Sequence, residues 1–352
     1  MKLQENYAMN QTITINNLKI GRDQPCYIVA EMSANHMQKI ENAIEIIREA
    51  KQAGADAVKV QLYTPDTMTI NCNKPDFFIT GGLWPNWSLY ELYDSAFMPW
   101  GWYPDLQNVA DINDITLFPT VYDMSSLAFA ESMNVPVYKI ASFEIGYVQL
   151  LDEVAKTGKP TIVSLGKAQH EDIVRTHDIF YQRHNENLMH LKCTSEYPAK
   201  IDLNIFDDLK YYNMIMGLSD HSKGIGFPIY AVMFGAKIIE KHIKLPNTET
   251  PDSEFSLIPD EFKSMVDGIR GIEHAMSGNK KMHDTKSQTD IFCRSIYAVK
   301  NIKQGESFTV ENVRIIRPSY GLPPCRLNDV LKAKASRDIE RGTAISEELL
   351  NG

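Results

Sequence analysis

The sequence predicts a TIM-type (β/α)8 barrel followed by a small C-terminal domain. Eight short apolar runs alternate with helical segments over about 260 residues, which suits a closed barrel better than an open doubly wound sheet. No glycine-rich dinucleotide fingerprint follows the first strand, which further disfavours the open sheet. Each apolar run also ends in polar or charged residues, as barrel strands do at the face that carries chemistry.

The elements follow in order. Residues 1 to 25 read as a polar lead-in, with TITINNLKIG as a hairpin that could close the bottom of the barrel. The first strand, Cys26 to Ala30, ends in Glu31, and SANH then passes into an amphipathic helix from Ile40 to Ala53, stopped at Gly54. The second strand, Ala57 to Val60, carries Lys59 and Gln61, so a charge sits where the strand should be ending. Tyr63 to Tyr103 is a long aromatic-rich excursion, either a lid or binding loop or an extra helix and hairpin packed on the barrel flank. Helix Leu106 to Ile112 leads to strand Thr116 to Phe118, ending at Thr120. Helix Ser125 to Met133 leads to strand Val137 to Ile140, with Lys139, Ser142 and Glu144 at its end.

Helix Tyr147 to Thr157 leads to strand Thr161 to Val163 and Ser164. Helix Glu171 to Tyr181 leads to strand Leu188 to Leu191, followed by Ser195 and Tyr197. Asn204 to Tyr212 reads as helix or loop. Two strands then deliver one imidazole each: Met214 to Leu218 ends in Ser219, Asp220 and His221, and Lys237 to Ile239, after helix Phe227 to Phe234, ends in Glu240, Lys241 and His242. Helix Asp260 to Met276 completes a domain spanning residues 1–276. A polar linker, 277–293, precedes a second domain, 294–352, in which Ile-Lys-Gln-Gly-Glu and Ile-Glu-Arg-Gly-Thr recur as turns between short strands.

Composition excludes several classes. The chain has 352 residues with a net charge of -9 and no basic block, so nucleic-acid binding has no electrostatic support. No apolar run approaches the roughly 20 residues needed to span a bilayer, and the start lacks the layout of a signal peptide. Five scattered cysteines without a CxxC pair read as free thiols in a reducing cytoplasm.

The collected strand ends suggest chemistry. Two lysines, with several hydroxyl groups, make a pocket for a phosphate and a carboxylate. His221 and His242 suit a divalent metal acting as Lewis acid on a carbonyl oxygen. With only two protein ligands in view, water and substrate must complete the coordination, which favours Mn²⁺ over Zn²⁺, with Mg²⁺ or Co²⁺ as alternatives. Glu31 and Asp252 are the spare carboxylates for acid and base work.

The blocks AEMSANH, GADAVKVQLYTPD, YKIASFE, KCTSEYPA, GLSDHS, GAKIIEKH and RSIYAVKNIKQGE together resemble the sialic acid synthase family, across nearly the whole chain. The segments KPDFFITGGLW, LYELYDSA and TPDSEFSL are most similar to its pseudaminic acid branch. The resemblance implies a metal-dependent TIM barrel joined to an antifreeze-like (SAF) domain. It implies condensation of phosphoenolpyruvate with the open-chain aldehyde of an acetamido sugar, here 2,4-diacetamido-2,4,6-trideoxy-L-altrose, with C–O cleavage and phosphate release.

By the same resemblance His221 and His242 bind the metal, and Lys59, Thr120, Lys139, Ser142, Ser164 and Ser219 hold phosphoenolpyruvate. Glu31 stands near its reacting carbons, and Gln61, Glu144, Tyr197 and Asp252 surround the sugar. Ser195 stands where the family commonly has Asn, which puts its phosphate contact in question. Arg317, in the IRPSYG block, is similar to an arginine inserted into the partner's barrel, implying a domain-swapped homodimer with Arg317 supplied in trans. N-acetylneuraminate or legionaminate synthesis remains open as an alternative product. So do a Schiff-base aldolase using Lys139 or Lys59 and a non-catalytic carbohydrate-binding protein.

Overall fold

The computed structural model describes residues 9–206, 214–277 and 291–351. The chain forms two units, Met1–Ser277 and Gly278–Gly352. Most of the 204–212 segment expected as helix or loop, and most of the expected linker, lie outside the described residues.

The first unit opens with an antiparallel hairpin, β1 (Thr12–Ile15) and β2 (Leu18–Gly21). Eight parallel strands then close into a barrel. In chain order they are β3 (Tyr27–Glu31), β4 (Ala57–Leu62), β5 (Thr116–Val121), β6 (Tyr138–Ile140), β7 (Thr161–Ser164), β8 (Leu188–Cys193), β9 (Met216–Asp220) and β10 (Ile238–His242). Every expected strand is present, and most run one to three residues further, because the polar residue at each end still belongs to the ladder. The helices between them are α1 (Ile40–Gln52), α2 (Pro65–Met68), α3 (Leu89–Ala96), α4 (Tyr103–Ile112), α5 (Met124–Ser132), α6 (Val148–Lys156), α7 (His170–Gln182) and α8 (Gly226–Met233), with α9 (Pro259–Ser277) after the last strand.

Strand alternation divides the buried residues into two sets. Ile28 and Ala30 of β3, Val58, Val60 and Leu62 of β4, and Ile239 of β10 point outward into the apolar layer beneath the helices. Each of the larger ones, Ile28, Val58, Val60, Leu62 and Ile239, contributes about 1.5–3 kcal/mol by leaving water. Inward positions form a second cluster: Tyr27, Val29, Ala57, Phe118, Val137, Ile162, Met189, Leu191, Ile215 and Ile238, joined by Ile13, Ile15 and Ile20 of the hairpin. The hairpin therefore plugs the amino-terminal end of the barrel, as TITINNLKIG suggested.

Along every strand the inward column changes from apolar at this plugged end to polar at the other. Tyr27 and Val29 precede Glu31, Ala57 precedes Lys59 and Gln61, and Ile238 precedes Glu240 and His242, all in one register. The core is dry at one end and equipped for chemistry at the other.

The Tyr63 to Tyr103 excursion is packed structure. Ser88 caps α3, accepting the Glu91 N–H at 3.1 Å while its own N–H donates to the Glu91 carboxylate at 2.9 Å. A bridge pairs Phe78 with Ser88, and Trp100 Nε1 donates to the Tyr63 carbonyl at 3.2 Å. The expected extra helix is present as α3, and Leu92, Tyr93 and Ala96 on its inner face reach the open end of the barrel.

The second unit contains β11 (Ser295–Ala298), β12 (Val313–Ile316), α10 (Leu327–Lys332), β13 (Lys334–Ala335) and β14 (Leu350–Asn351) around a core that includes Ile296, Phe308, Val330 and Ile345. Its two similar turn motifs pair with each other: Ile302 and Ile339 exchange backbone hydrogen bonds at 2.8 Å in both directions. The turns need Gly305 and Gly342, at φ of 81° and 92°, where a Cβ would be strained.

Candidate active site

A cavity of about 250 Å³ lies at the carboxyl end of the barrel. Thirteen residues expected from the sequence line it: Glu31, Lys59, Gln61, Thr120, Lys139, Ser142, Glu144, Ser164, Tyr197, Ser219, His221, His242 and Asp252. Ser195 stands behind this wall, its hydroxyl 2.8 Å from that of Ser142. Asp220, also a strand-end residue, faces the other way and pairs with Lys241. Arg317 lies in the second unit, exposed, with its guanidinium 6.0 Å from the Phe292 ring.

The floor is cationic and tightly hydrogen-bonded. Lys59 Nζ lies 2.5 Å from Glu31 Oε2 and 3.8 Å from Glu240 Oε1, and donates to Thr120 Oγ1 at 2.8 Å. Lys139 Nζ donates to Ser164 Oγ at 2.7 Å and to the Ile140 carbonyl at 2.9 Å. Burial pulls the Lys59 pKa down, but the two carboxylates outweigh it and raise the value. Among the described residues Lys139 has no carboxylate at contact distance, and burial leaves its pKa lowered. Two ammonium groups on one floor suit the phosphate and carboxylate of a small dianion.

The carboxylates divide the same field unequally. Burial raises Glu31 to about 7 against the pull of Lys59. Glu240 is lowered: burial opposes ionisation, but Lys59, Lys139 and the Ser219 hydroxyl, which donates to Oε1 at 2.8 Å, outweigh it. Gln61 holds Glu31 in place, donating to Oε1 at 2.9 Å and to Ser33 Oγ at 3.0 Å. Further out, burial also raises Glu144 to about 7, although Lys139 opposes the shift.

The two histidines meet at one side. Their ring centroids are 5.3 Å apart, and Phe255 packs edge-on against both. Burial lowers His221 to about 4 and His242 well below its usual range, so both imidazoles are neutral, the form that ligates metals. Among the described residues the Nδ1 of His242 has no hydrogen-bond partner, with Asp252 Oδ2 at 3.7 Å, while His221 Nδ1 lies 3.3 Å from the Thr194 carbonyl. A buried neutral imidazole with an unpartnered nitrogen, facing a second one, fits a divalent ion. Among the described residues no three His, Cys, Asp or Glu side chains form a ready-made cage, so water and substrate would complete the sphere.

Sequence reasoning missed Glu240 and Cys193 among the lining residues. Period-two alternation was the available signal: Glu240 lies two residues before His242 on β10 and so shares its face. The excursion adds Met68, Trp84, Leu92, Tyr93 and Ala96 to the cavity wall, and the Trp84 ring lies 6.2 Å from that of Tyr197. Their place on the wall depends on how the excursion folds back, which no local pattern encodes.

Residues 46–281 match the NeuB family, and residues 294–351 match the SAF domain. The pseudaminic acid synthase of Campylobacter jejuni subsp. jejuni serotype O:23/36 (strain 81-176) is 44% identical over 92% of this chain and 96% of its own. That of Helicobacter pylori (strain ATCC 700392 / 26695) is 39% identical over 92% of this chain and 98% of its own. Among solved structures, the N-acetylneuraminic acid synthetase of Leptospira borgpetersenii serovar Hardjo-bovis, in complex with citrate, superposes with a TM-score of 0.70 at 30% identity, covering 80% of this chain and 96% of that one.

Proposed function

The chain belongs to the NeuB family, and from that premise we propose that it is a pseudaminic acid synthase. It condenses phosphoenolpyruvate with open-chain 2,4-diacetamido-2,4,6-trideoxy-L-altrose, breaking the C–O bond to phosphate and yielding a nine-carbon 2-keto acid. The observation that carries this reading is the arrangement of Lys59 and Lys139 with His221 and His242 around one cavity. The sugar assignment rests on the higher identity to the two pseudaminic acid synthases than to the N-acetylneuraminic acid synthetase.

In this reading Lys59 and Lys139, with Thr120, Ser142, Ser164 and Ser219, hold the phosphate and carboxylate of phosphoenolpyruvate, and Ser195 supports Ser142. Gln61, Glu144, Tyr197 and Asp252 surround the sugar, and the aromatic wall shields the reacting carbons from bulk water. His221 and His242 hold a divalent metal, Mn²⁺ in our assignment, which when bound polarises the aldehyde oxygen as a Lewis acid. C3 of phosphoenolpyruvate attacks the aldehyde carbon, and water adds at C2. Glu31, with its pKa raised to about 7 by burial, accepts the proton of that water at neutral pH. The tetrahedral intermediate then expels phosphate, which carries off the C2 hydroxyl proton, while the proton taken up by Glu31 goes to the former aldehyde oxygen.

We extend the reading to a domain-swapped homodimer in which Arg317 of each chain enters the partner's barrel. It also puts the enzyme in the cytoplasm, in keeping with five cysteines that form no disulfide. Phosphate release measured with each candidate sugar tests the proposal. The altrose-configured sugar should react at least about tenfold faster than the precursors of N-acetylneuraminate and legionaminate. Faster release with another sugar would reassign the product, and no release with any would remove the activity. With ¹⁸O in the bridging position, label should leave in phosphate.

A further inference from the structure

Asp220 and Lys241 each precede one of the two histidines by a single residue, and their Cα atoms are paired directly across β9 and β10. Neither lines the cavity, because alternation turns them outward while Ser219, Glu240 and the imidazoles turn in. Behind the site they form an ion pair at 2.7 Å with both side chains fully buried. Asp220 Oδ1 accepts the Ser222 N–H at 2.8 Å, and Lys241 Nζ donates to the Ser222 carbonyl. The pair thus holds both backbone groups of Ser222, the residue after His221, and ties them to the residue before each histidine.

Stability does not account for this arrangement. Well-packed apolar side chains of similar volume serve a buried position as well as an ion pair or better, because both charges must be stripped of water. What apolar side chains do not provide is one enforced register and a directed hold on the turn that carries His221. We propose that Asp220 and Lys241 are positioning residues that set the separation and orientation of His221 and His242, so that the two imidazoles meet on one divalent cation. The proposal rests on the reading of these histidines as metal ligands. Its distinct content is that the metal affinity depends on two residues that touch neither metal nor substrate.

The test is a Mn²⁺ titration of the full chain, followed by the electron paramagnetic resonance signal of the free ion, with thermal melting as a check of the fold. In Asp220→Leu/Lys241→Met the Kd for Mn²⁺ should rise about tenfold or more, the usual effect of losing groups that orient metal ligands. Val154→Ala opens the apolar layer between β6 and β7, on the opposite side of the barrel, and should leave the Kd within about twofold. Should the double variant not fold, Asp220→Asn, which keeps the shape and removes the charge, should raise the Kd about threefold or more. A Kd unchanged in the folded variants, or raised equally by Val154→Ala, overturns the proposal. Absence of Mn²⁺ binding by the parent protein overturns the metal reading, and the positioning role with it.

Discussion

Lys59 and Glu31 form an ion pair at 2.5 Å in which the side chains are only 5% and 1% exposed, and Glu240 shares the same cation from 3.8 Å. One ammonium group thus serves two buried carboxylates, with Lys139 and the Ser219 hydroxyl also stabilising Glu240. Lys59→Met would remove the cation that Glu31 contacts, and breaking a buried pair costs about 3–5 kcal/mol. The melting temperature should fall by about 10 °C at neutral pH, and turnover should be lost. A parent-like melt in this variant would show that the carboxylates are neutralised some other way.

Glu31→Gln keeps the size of the side chain but removes the proton acceptor proposed for water addition. The expected result is a loss of about 10²–10⁴ in kcat with the KM for phosphoenolpyruvate changed less than about threefold. An intact kcat would assign the proton transfer to another group, and a change confined to KM would make Glu31 a binding residue.

The imidazole of His242 is neutral and, among the described residues, unpartnered at Nδ1, so its removal costs packing against Phe255 and His221 and no hydrogen bond at that nitrogen. His242→Ala should therefore keep the circular dichroism spectrum of the parent while metal-dependent turnover disappears. Full activity of this variant in the presence of a chelator would take the metal out of the reaction.

Glu144 carries a pH signature. Its pKa rises from 4.5 to about 7, so between these values the folded state holds a proton that the unfolded chain has released. Stability from this group is therefore lost as pH rises through that window, and the cost is complete above about 7. Glu144→Gln removes the effect: it should be up to about 3 kcal/mol more stable than the parent at pH 8 and equal to it at pH 4. Equal differences at both pH values, by denaturant melts, would refute the assignment.

If Arg317 acts in the partner's barrel, Arg317→Ala and His242→Ala should each be inactive alone. Mixed dimers assembled from both should regain about a quarter of the parent activity, since half the dimers are mixed and each has one intact site. No recovery in verified mixed dimers would place Arg317 in its own chain's site or outside catalysis.

Most of the fold was legible because a parallel barrel repeats one local rule. A strand buried on both faces is an apolar run, and polar residues break that run toward its carboxyl end, Glu31 as the last residue of β3 and Lys59 and Lys139 inside β4 and β6. The hairpin plug was visible for the same reason, through the alternation of Ile13, Ile15 and Ile20. Glu240 was overlooked because it stands beside Lys241 in the chain, and only the pleat separates a cavity-facing carboxylate from an ammonium group turned outward.

What the sequence by itself determined, then, is which residues stand at the strand ends, since hydrophobic periodicity is a local property. Tertiary structure alone decided which of them share a partner. The Lys59 contacts to Glu31 and Glu240, the meeting of His221 with His242, and the place of Trp84 and Leu92 on the cavity wall all arise from ring closure and chain return. The raised pKa values of Glu31 and Glu144 belong to the same class, because burial is set by every neighbour at once and by no single position in the chain.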